Sequence, residues 1–270
     1  MSTYQLSEEE LKKLREVEVE LLCEVHRICE KCGIRYTIIA GTLLGSVRHK
    51  GFIPWDDDAD VALLRPEYDK FAEAVKTELD TTRFYFQDHT NTPGYRWGYG
   101  KLRRKGTVFM REHQEHMPYE QGIFIDIFPL DKVPQNKLFR AVHNVECFVV
   151  RKFLWSEVGR VSERNPFWRS LYKWMSRVST DRIFKHYDAM KNHWNRKSSA
   201  WVRILTFPTP GGDYGYLKNW YQSRSLYPFE GHMFYGISEA DAYLQFKYGD
   251  YQKLPPKEQR KVHPVSKFKT

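Results

Sequence analysis

Apolar residues Leu11, Leu14, Val17, Leu21, Val25 and Ile28 recur at steps of three and four, which predicts an amphipathic helix over residues 7–32. Ser7 stands three residues before Glu10, a capping-box spacing, and Gly33 supplies a stop. The pattern then shortens. The run 36–40 is β-rich and ends at Gly41, residues 42–49 predict a short helix, 50–54 a turn and 58–64 a second strand. Arg65-Pro66 opens a helix to about Leu79, with Pro66 near its first turn. Strands are predicted at 83–87, 96–103 and 106–111, and most strongly at 122–128, GIFIDIF. Beyond Pro134 the chain turns to long basic and aromatic helices, 135–157 and 166–195. The Pro/Gly-rich stretch FPTPGGDYG, a helix over 238–248 and a basic tail follow. The fold class is α/β (α+β): a mixed-sheet core with flanking helices at 1–131, and a helical, aromatic-rich half at 132–270 packed onto it. No internal repeat is evident.

Composition narrows this picture. A chain of 270 residues can bury a large core without disulfide or zinc staples. A mean hydropathy of −0.65 argues against an integral membrane protein, and no apolar run reaches the roughly eighteen residues of a spanning helix. The start, MSTYQLSEEELKK, lacks the apolar core of a secretory signal. Cys23, Cys29, Cys32 and Cys147 form no disulfide framework, and the single C-x-x-C has no second ligand pair. No N-x-[ST] sequon occurs. A reducing, cytoplasmic setting is expected.

The formal charge of +9 is unevenly placed. Residues 132–203 hold sixteen Lys or Arg against five Asp or Glu, net +11, leaving the rest of the chain at −2. Either this is a solvated helical face, or it meets an anionic partner such as nucleic acid, phospholipid headgroups or a phosphorylated polymer.

The segment from Gly41 to Asp60, GTLLGSVRHKGFIPWDDDAD, carries most of the chemistry. Alternation along a strand puts Asp58 and Asp60 on one face, with Asp57 turned away or in the entering turn with Asp56. Two carboxylates about 4 Å apart repel by roughly 4 kcal/mol at an effective dielectric near 20. A divalent cation with hard oxygen ligands, Mg²⁺ or Mn²⁺, removes that cost. Asp126 sits inside the apolar run FIDIF, where it is costly to bury alone. It fits as a third acid if its strand neighbours the Asp58/Asp60 strand; the alternative is a strand-end Asp paired with an arginine. Asp131 is expected in the loop beyond.

Gly41-Thr42 follows a strand and opens a helix, so its backbone N–H groups can approach a phosphate. Arg48 is favoured as a phosphate fork. His49 reads equally as a substrate contact or as a structural hydrogen bond to the next turn. Lys101 and Arg103 share one strand face, taken to look into the cleft. His113 and His116 lack a third ligand and read as loop histidines. Among the aromatics, Trp55, Trp97, Trp201, Trp220 and Tyr227 are candidates for a cation–π cage, but none is assigned. Strand, Gly-Thr, helix, D-x-D strand and a later Asp strand make the plan of a nucleotidyltransferase. The P-loop and G-x-G-x-x-G motifs are absent.

GTLLGSVRHKGFIPWDDDAD, GIFIDIFPLD and KYGDYQKLPP together resemble the LicD family of phosphocholine transferases and, more distantly, fukutin and fukutin-related protein. The resemblance runs from about residue 8 to residue 263. It implies a nucleotidyltransferase-like fold and transfer of a phospho-alcohol, most often phosphocholine, from CDP-choline to a sugar hydroxyl, releasing CMP. The implied acceptor is a cell-surface glycan or lipid-linked glycan precursor of the teichoic acid or lipopolysaccharide kind. Asp58 and Asp60 would bind metal. Asp126 would join them as a third ligand or act as the base, a carry-over resting more on fold logic than on motif. Ala59 and Ala62 depart from the family's bulkier aliphatics, which puts the packing under the site in doubt. Other CDP-alcohols (ribitol, glycerol, ethanolamine) or an NTP are alternative donors, and a basic polyanion-binding protein is the remote one. Acids in the cleft would repel a polyanion, so no nucleic acid is expected. The implied location is cytoplasmic, with peripheral contact at the inner face of an anionic membrane.

Overall fold

The computed structural model describes residues 4–209, 215–260 and 262–270; residues 210–214 of the Pro/Gly-rich stretch lie outside the described residues. The first helix, α1, spans Glu8–Cys32. The Ser7 hydroxyl accepts the Glu10 N–H at 3.2 Å, and the Glu10 carboxylate accepts the Ser7 N–H at 2.9 Å. Gly33 closes the helix in the left-handed region, φ 64°, where a side chain would be strained. Leu14, Leu21, Val25 and Ile28 are buried, so the apolar stripe is the docked face.

Among the described residues, nine strands share one sheet. They are β1 (Thr37–Ile38), β2 (Asp60–Leu64), β3 (Phe84–Gln87), β4 (Gly100–Arg104), β6 (Phe124–Lys132), β7 (Trp201–Arg203), β8 (Tyr216–Leu217), β9 (Arg224–Phe229) and β10 (His232–Ile237). The main path runs β3-β4-β6-β2-β1-β10-β9, with β7 and β8 continuing from the end of β6. The β2/β6 and β1/β10 pairs are parallel and the other pairings antiparallel. Strands β5 (Val108–Arg111) and β11 (Val265–Lys269) form a separate pair. The helices are α2 (Ala40–His49), α3 (Arg65–Glu78), α4 (Lys137–Ser162), α5 (Pro166–Met175), α6 (Thr180–Asn195) and α7 (Ala240–Tyr248). The architecture is thus a mixed α/β sheet with flanking helices, as the residue pattern predicts.

Several details differ from that pattern. The second strand begins at Asp60, so Asp58 lies in the segment that enters it. The strand expected over 96–103 is confined to Gly100–Arg104. The helix expected over 166–195 breaks at Ser176–Ser179 into α5 and α6. Beyond residue 200, five strands appear that periodicity does not reveal, because they are short or lie at an edge. In β9, Pro228 is tolerated because that strand ends the sheet. Its hairpin with β10 turns through Glu230 and Gly231, both at positive φ.

Asp131 is not a loop residue. It is the eighth residue of β6, fully buried, and held by Arg65 through Nε–Oδ1 at 2.6 Å and a second guanidinium bond at 2.8 Å. Asn195 of α6 donates to the same carboxylate at 2.7 Å. This buried pair fastens α3 and α6 to the centre of the sheet. Ala59 and Ala62 are fully enclosed in the main core, so small residues fill their sites. A second apolar cluster joins α4 to α6 through Cys147, Val150, Leu154, Ile183, Phe184 and Met190. All four cysteines are free.

Candidate active site

Strand register builds the site. Asp60 of β2 lies opposite Asp126 of β6, which lies opposite Lys101 of β4. The Asp126 N–H donates to the Ala59 carbonyl at 3.0 Å, and the Asp60 N–H donates to the Thr42 hydroxyl at 2.7 Å. Two cavities flank these acids. One, of about 390 Å³, is lined by Asp58, Asp60, Asp126, Lys101 and Arg103 together with Trp97, Tyr99, Phe128, Trp155 and Phe207. The other, of about 490 Å³, is lined by Gly41, Arg48, Asp56, Asp58, Asp60 and Lys247, with Tyr248 and Lys253. Asp58 and Asp60 therefore form the wall between two spaces, each large enough for part of a nucleotide-linked donor or an acceptor sugar.

The electrostatics are those of crowded carboxylates. Burial pushes Asp60 well above the usual carboxylate range, and Asp58, Asp126 and Asp56 add to the shift. Burial, then Asp58 and Asp57, push Asp56 up to about 8. Asp58 is raised by burial, against the opposing pull of His263 and Arg111. Asp57 goes the other way: burial acts upward, but the His263 hydrogen bond at 2.8 Å and Arg111 at 3.0 Å outweigh it. Burial lowers Lys101 to about 8, with its Asp126 ion pair opposing that fall. Among the described residues no hydrogen bond reaches the Asp60 carboxylate. The crowded hard oxygen donors, with the Asp60 carboxylate unengaged, suit a divalent cation. Asp57, Asp58 and His263 each offer a ligand atom within 4.8 Å of the others.

The sequence-predicted residues fall in three groups. Asp58, Asp60, Asp126, Lys101 and Arg103 come together on the first cavity. Asp126 pairs with Lys101 rather than with an arginine, and Arg103 donates to Gln87 and to the Gly122 carbonyl at 2.7 Å each. Gly41 and Arg48 lie on the second cavity. A Cβ at Gly41 would stand 2.6 Å from the Asp56 carboxylate, so the glycine is set by that close approach. One guanidinium arm of Arg48 donates to the Tyr251 carbonyl at 2.6 Å. Thr42 and His49 line neither cavity: Thr42 is buried under Asp60, and His49 accepts from Arg48 at 3.0 Å.

Local pattern missed His263, Arg111, Asp57 and Lys247. His263 and Lys247 reach the acids from the far end of the chain, and only the KYGDYQKLPP block hinted at that region. His113 lines the first cavity, while His116 lies 3.6 Å from Glu157. Of the candidate aromatics, Trp97 lines the first cavity and Trp55 the second, the latter covered by Arg260 at 4.2 Å. Trp201, Trp220 and Tyr227 line neither. Trp155 and Phe207 do reach the first cavity and escaped notice.

The comparisons with known proteins bear on this arrangement. Residues 33–144 match the family model described as LicD/FKTN/FKRP, nucleotidyltransferase domain. That span holds Gly41, Asp58, Asp60, Lys101 and Asp126. The chain is 27% identical over 269 residues to the lipopolysaccharide cholinephosphotransferase LicD of Haemophilus influenzae, covering 94% of this chain and 98% of the relative. Over residues 33–144, which carry the acids, the chain is similar to the LicD family. It is also 25% identical over 178 residues to an uncharacterized protein of Rickettsia prowazekii, covering 60% of this chain and 61% of that one. A Rickettsia typhi protein, likewise uncharacterized, is 37% identical over 72 residues, 27% of this chain and 22% of that one. Among the described residues, no helix is long and apolar enough to cross a membrane.

Proposed function

We propose that this enzyme transfers phosphocholine from CDP-choline to a sugar hydroxyl of a cell-surface glycan precursor, of the lipopolysaccharide or teichoic acid kind, and releases CMP. One observation carries the reading: a single cavity combines the acids Asp58, Asp60 and Asp126 with the rings of Trp97, Tyr99, Trp155 and Phe207. Aromatic faces attract a quaternary ammonium, each good ring by roughly 0.5–2 kcal/mol. The name of the Haemophilus relative supports the same substrate class.

In this reading the nucleotide side of the donor occupies the second cavity. There the N-terminal turn of α2 at Gly41, with Arg48, Lys247 and Lys253, faces phosphate. The choline group lies among the rings of the first cavity, and the phosphorus to be transferred lies at the shared wall. Asp58, Asp60 and Asp126 would hold Mg²⁺ or Mn²⁺, which would offset the negative charge of the diphosphate. Lys101 and Arg103 steady the phosphoryl oxygens. Thr42 acts on substrate indirectly, by fixing the backbone of Asp60, and His49 by orienting Arg48. The acceptor hydroxyl attacks in line as the P–O bond to CMP breaks. Its proton passes to Asp126 or to solvent. Residues 1–131 form the catalytic core, and 132–270 complete the cleft on the acceptor side. The working location is the cytoplasm, at the inner face of the membrane.

Calorimetry with CDP-choline, CDP-ribitol, CDP-glycerol, CDP-ethanolamine, CTP and ATP, each with and without Mg²⁺, tests this directly. Metal-dependent binding selective for CDP-choline, weakened by Trp97→Ala, is the expected result. Preference for another nucleotide, or binding indifferent to metal, overturns the assignment of donor or cation respectively.

A further inference from the structure

Helix α4 is apolar on two opposite faces. Cys147, Val150, Leu154 and Val158, at steps of three and four, turn inward and are buried. Leu138, Val142, Val145 and Val149 repeat at the same steps on the other side and remain exposed, from 43% at Val149 to 72% at Leu138. A helix packed on a core by one face ordinarily carries polar residues on the other. The antiparallel neighbour α5 extends the patch with exposed Phe167, Trp168 and Trp174. An apolar groove of about 470 Å³ runs between the two helices, walled by Phe148, Val149, Trp168 and Trp174. Exposed patches of this extent mark interaction sites.

Charge selects the occupant. Exposed Lys137, Arg160, Arg164, Arg169, Lys173 and Arg177 flank the patch, within the segment that carries sixteen basic against five acidic residues. A two-fold contact with a second copy would set this cationic surface against itself. An anionic lipid surface neutralises it, accepts the apolar stripe among its acyl chains and favours tryptophan at the headgroup level. We propose that the α4–α5 hairpin is an interfacial lipid-docking element, lying on an anionic leaflet rather than crossing it. The same helix lines the acid-bearing cavity through Trp155, Val158 and Ser162. Docking therefore holds the cavity beside the leaflet, where a lipid-anchored glycan presents its sugar; this last step rests on the transferase reading above.

Flotation of the full chain with vesicles of phosphatidylcholine alone, and with added phosphatidylglycerol, tests the docking. The chain should float with the anionic vesicles at low salt, with a blue shift in tryptophan emission, and stay behind with the neutral ones. The double variant Val142→Glu/Val145→Glu, altered only at exposed positions, should bind these vesicles at least about tenfold more weakly. No flotation at low salt overturns the proposal, as does a double variant that floats like the parent. A concentration-dependent dimer that the double variant abolishes, with no lipid binding, would give the face to a second copy instead. CDP-choline binding by the same samples reads the transferase assignment separately. Its loss with flotation intact would remove the transferase reading and leave the docking surface standing.

Discussion

At the acidic end of the sheet, charge sits inside; along α4, apolar side chains sit outside. The first region buries or half-buries Asp56, Asp57, Asp58, Asp60 and Asp126 within one wall, and raises three of them by burial and mutual repulsion. The second leaves a full helical stripe of Leu and Val in water. Crowding the acids costs the fold stability that a bound cation would offset, and the exposed stripe leaves apolar surface that the proposed lipid contact would remove from water. A third region shows what buried charge looks like when it serves the fold. Arg65 and Asp131 are at least as deeply enclosed, and every oxygen of that carboxylate is engaged. Among the described residues the Asp60 carboxylate receives no hydrogen bond, whereas Asp131 is fully engaged.

The sharpest way to break this contrast is Asp58→Asn. Turnover should fall by at least about 10⁴-fold, more than 5 kcal/mol of barrier. The metal-free variant should melt higher than the parent, because a repelling charge is gone. Full activity in Asp58→Asn and Asp60→Asn would sink the assignment of the acids. Arg65→Ala probes the scaffold pair in the opposite sense. It strands Asp131 in the core and should destabilise the chain by about 3–5 kcal/mol in denaturant titrations, with little loss of donor affinity in the fraction that stays folded. A small stability change would mean that the Asp131 charge is not structural.

On the helical side, burial lowers His143 to about 4. The unfolded chain takes up this proton near 6.5, so stability is complete above that pH. It should decline by up to about 3 kcal/mol as pH falls from 6.5 toward 4. His143→Leu should flatten that part of the pH–stability curve, and an unchanged slope would remove His143 as its cause. The smallest expected effect is Thr42→Val. It removes the acceptor for the Asp60 N–H and should cost about 1–2 kcal/mol of stability. Its activity loss should appear in turnover more than in donor affinity. An affinity loss alone would place the Thr42 hydroxyl on the substrate.

Much of the core was legible because its signals are local. The α1 stripe, its capping box and Gly33 are each set by residues within a few positions. The strand GIFIDIF announced itself by β propensity, and the acids by their crowding in DDDAD. The strands beyond residue 200 were not legible. A two- or three-residue strand such as β7 or β8 has no period to read, and β9 carries a proline that only an edge position excuses.

The same division holds for the site. Sequence by itself singled out the candidates: carboxylates at Asp58, Asp60 and Asp126, cations at Lys101 and Arg103, and a glycine at Gly41. Tertiary structure alone decided the partners. Parallel pairing of β2 with β6 sets Asp60 across from Asp126, and antiparallel pairing of β4 brings Lys101 to the same carboxylate. The β5/β11 pair carries Arg111 and brings the chain beside it, with His263, to Asp57. It was also the fold that showed which side of α4 is spent on the core and which remains free. A helical period reveals that an apolar face exists, but a helix apolar on both sides gives no local sign of which one the protein buries.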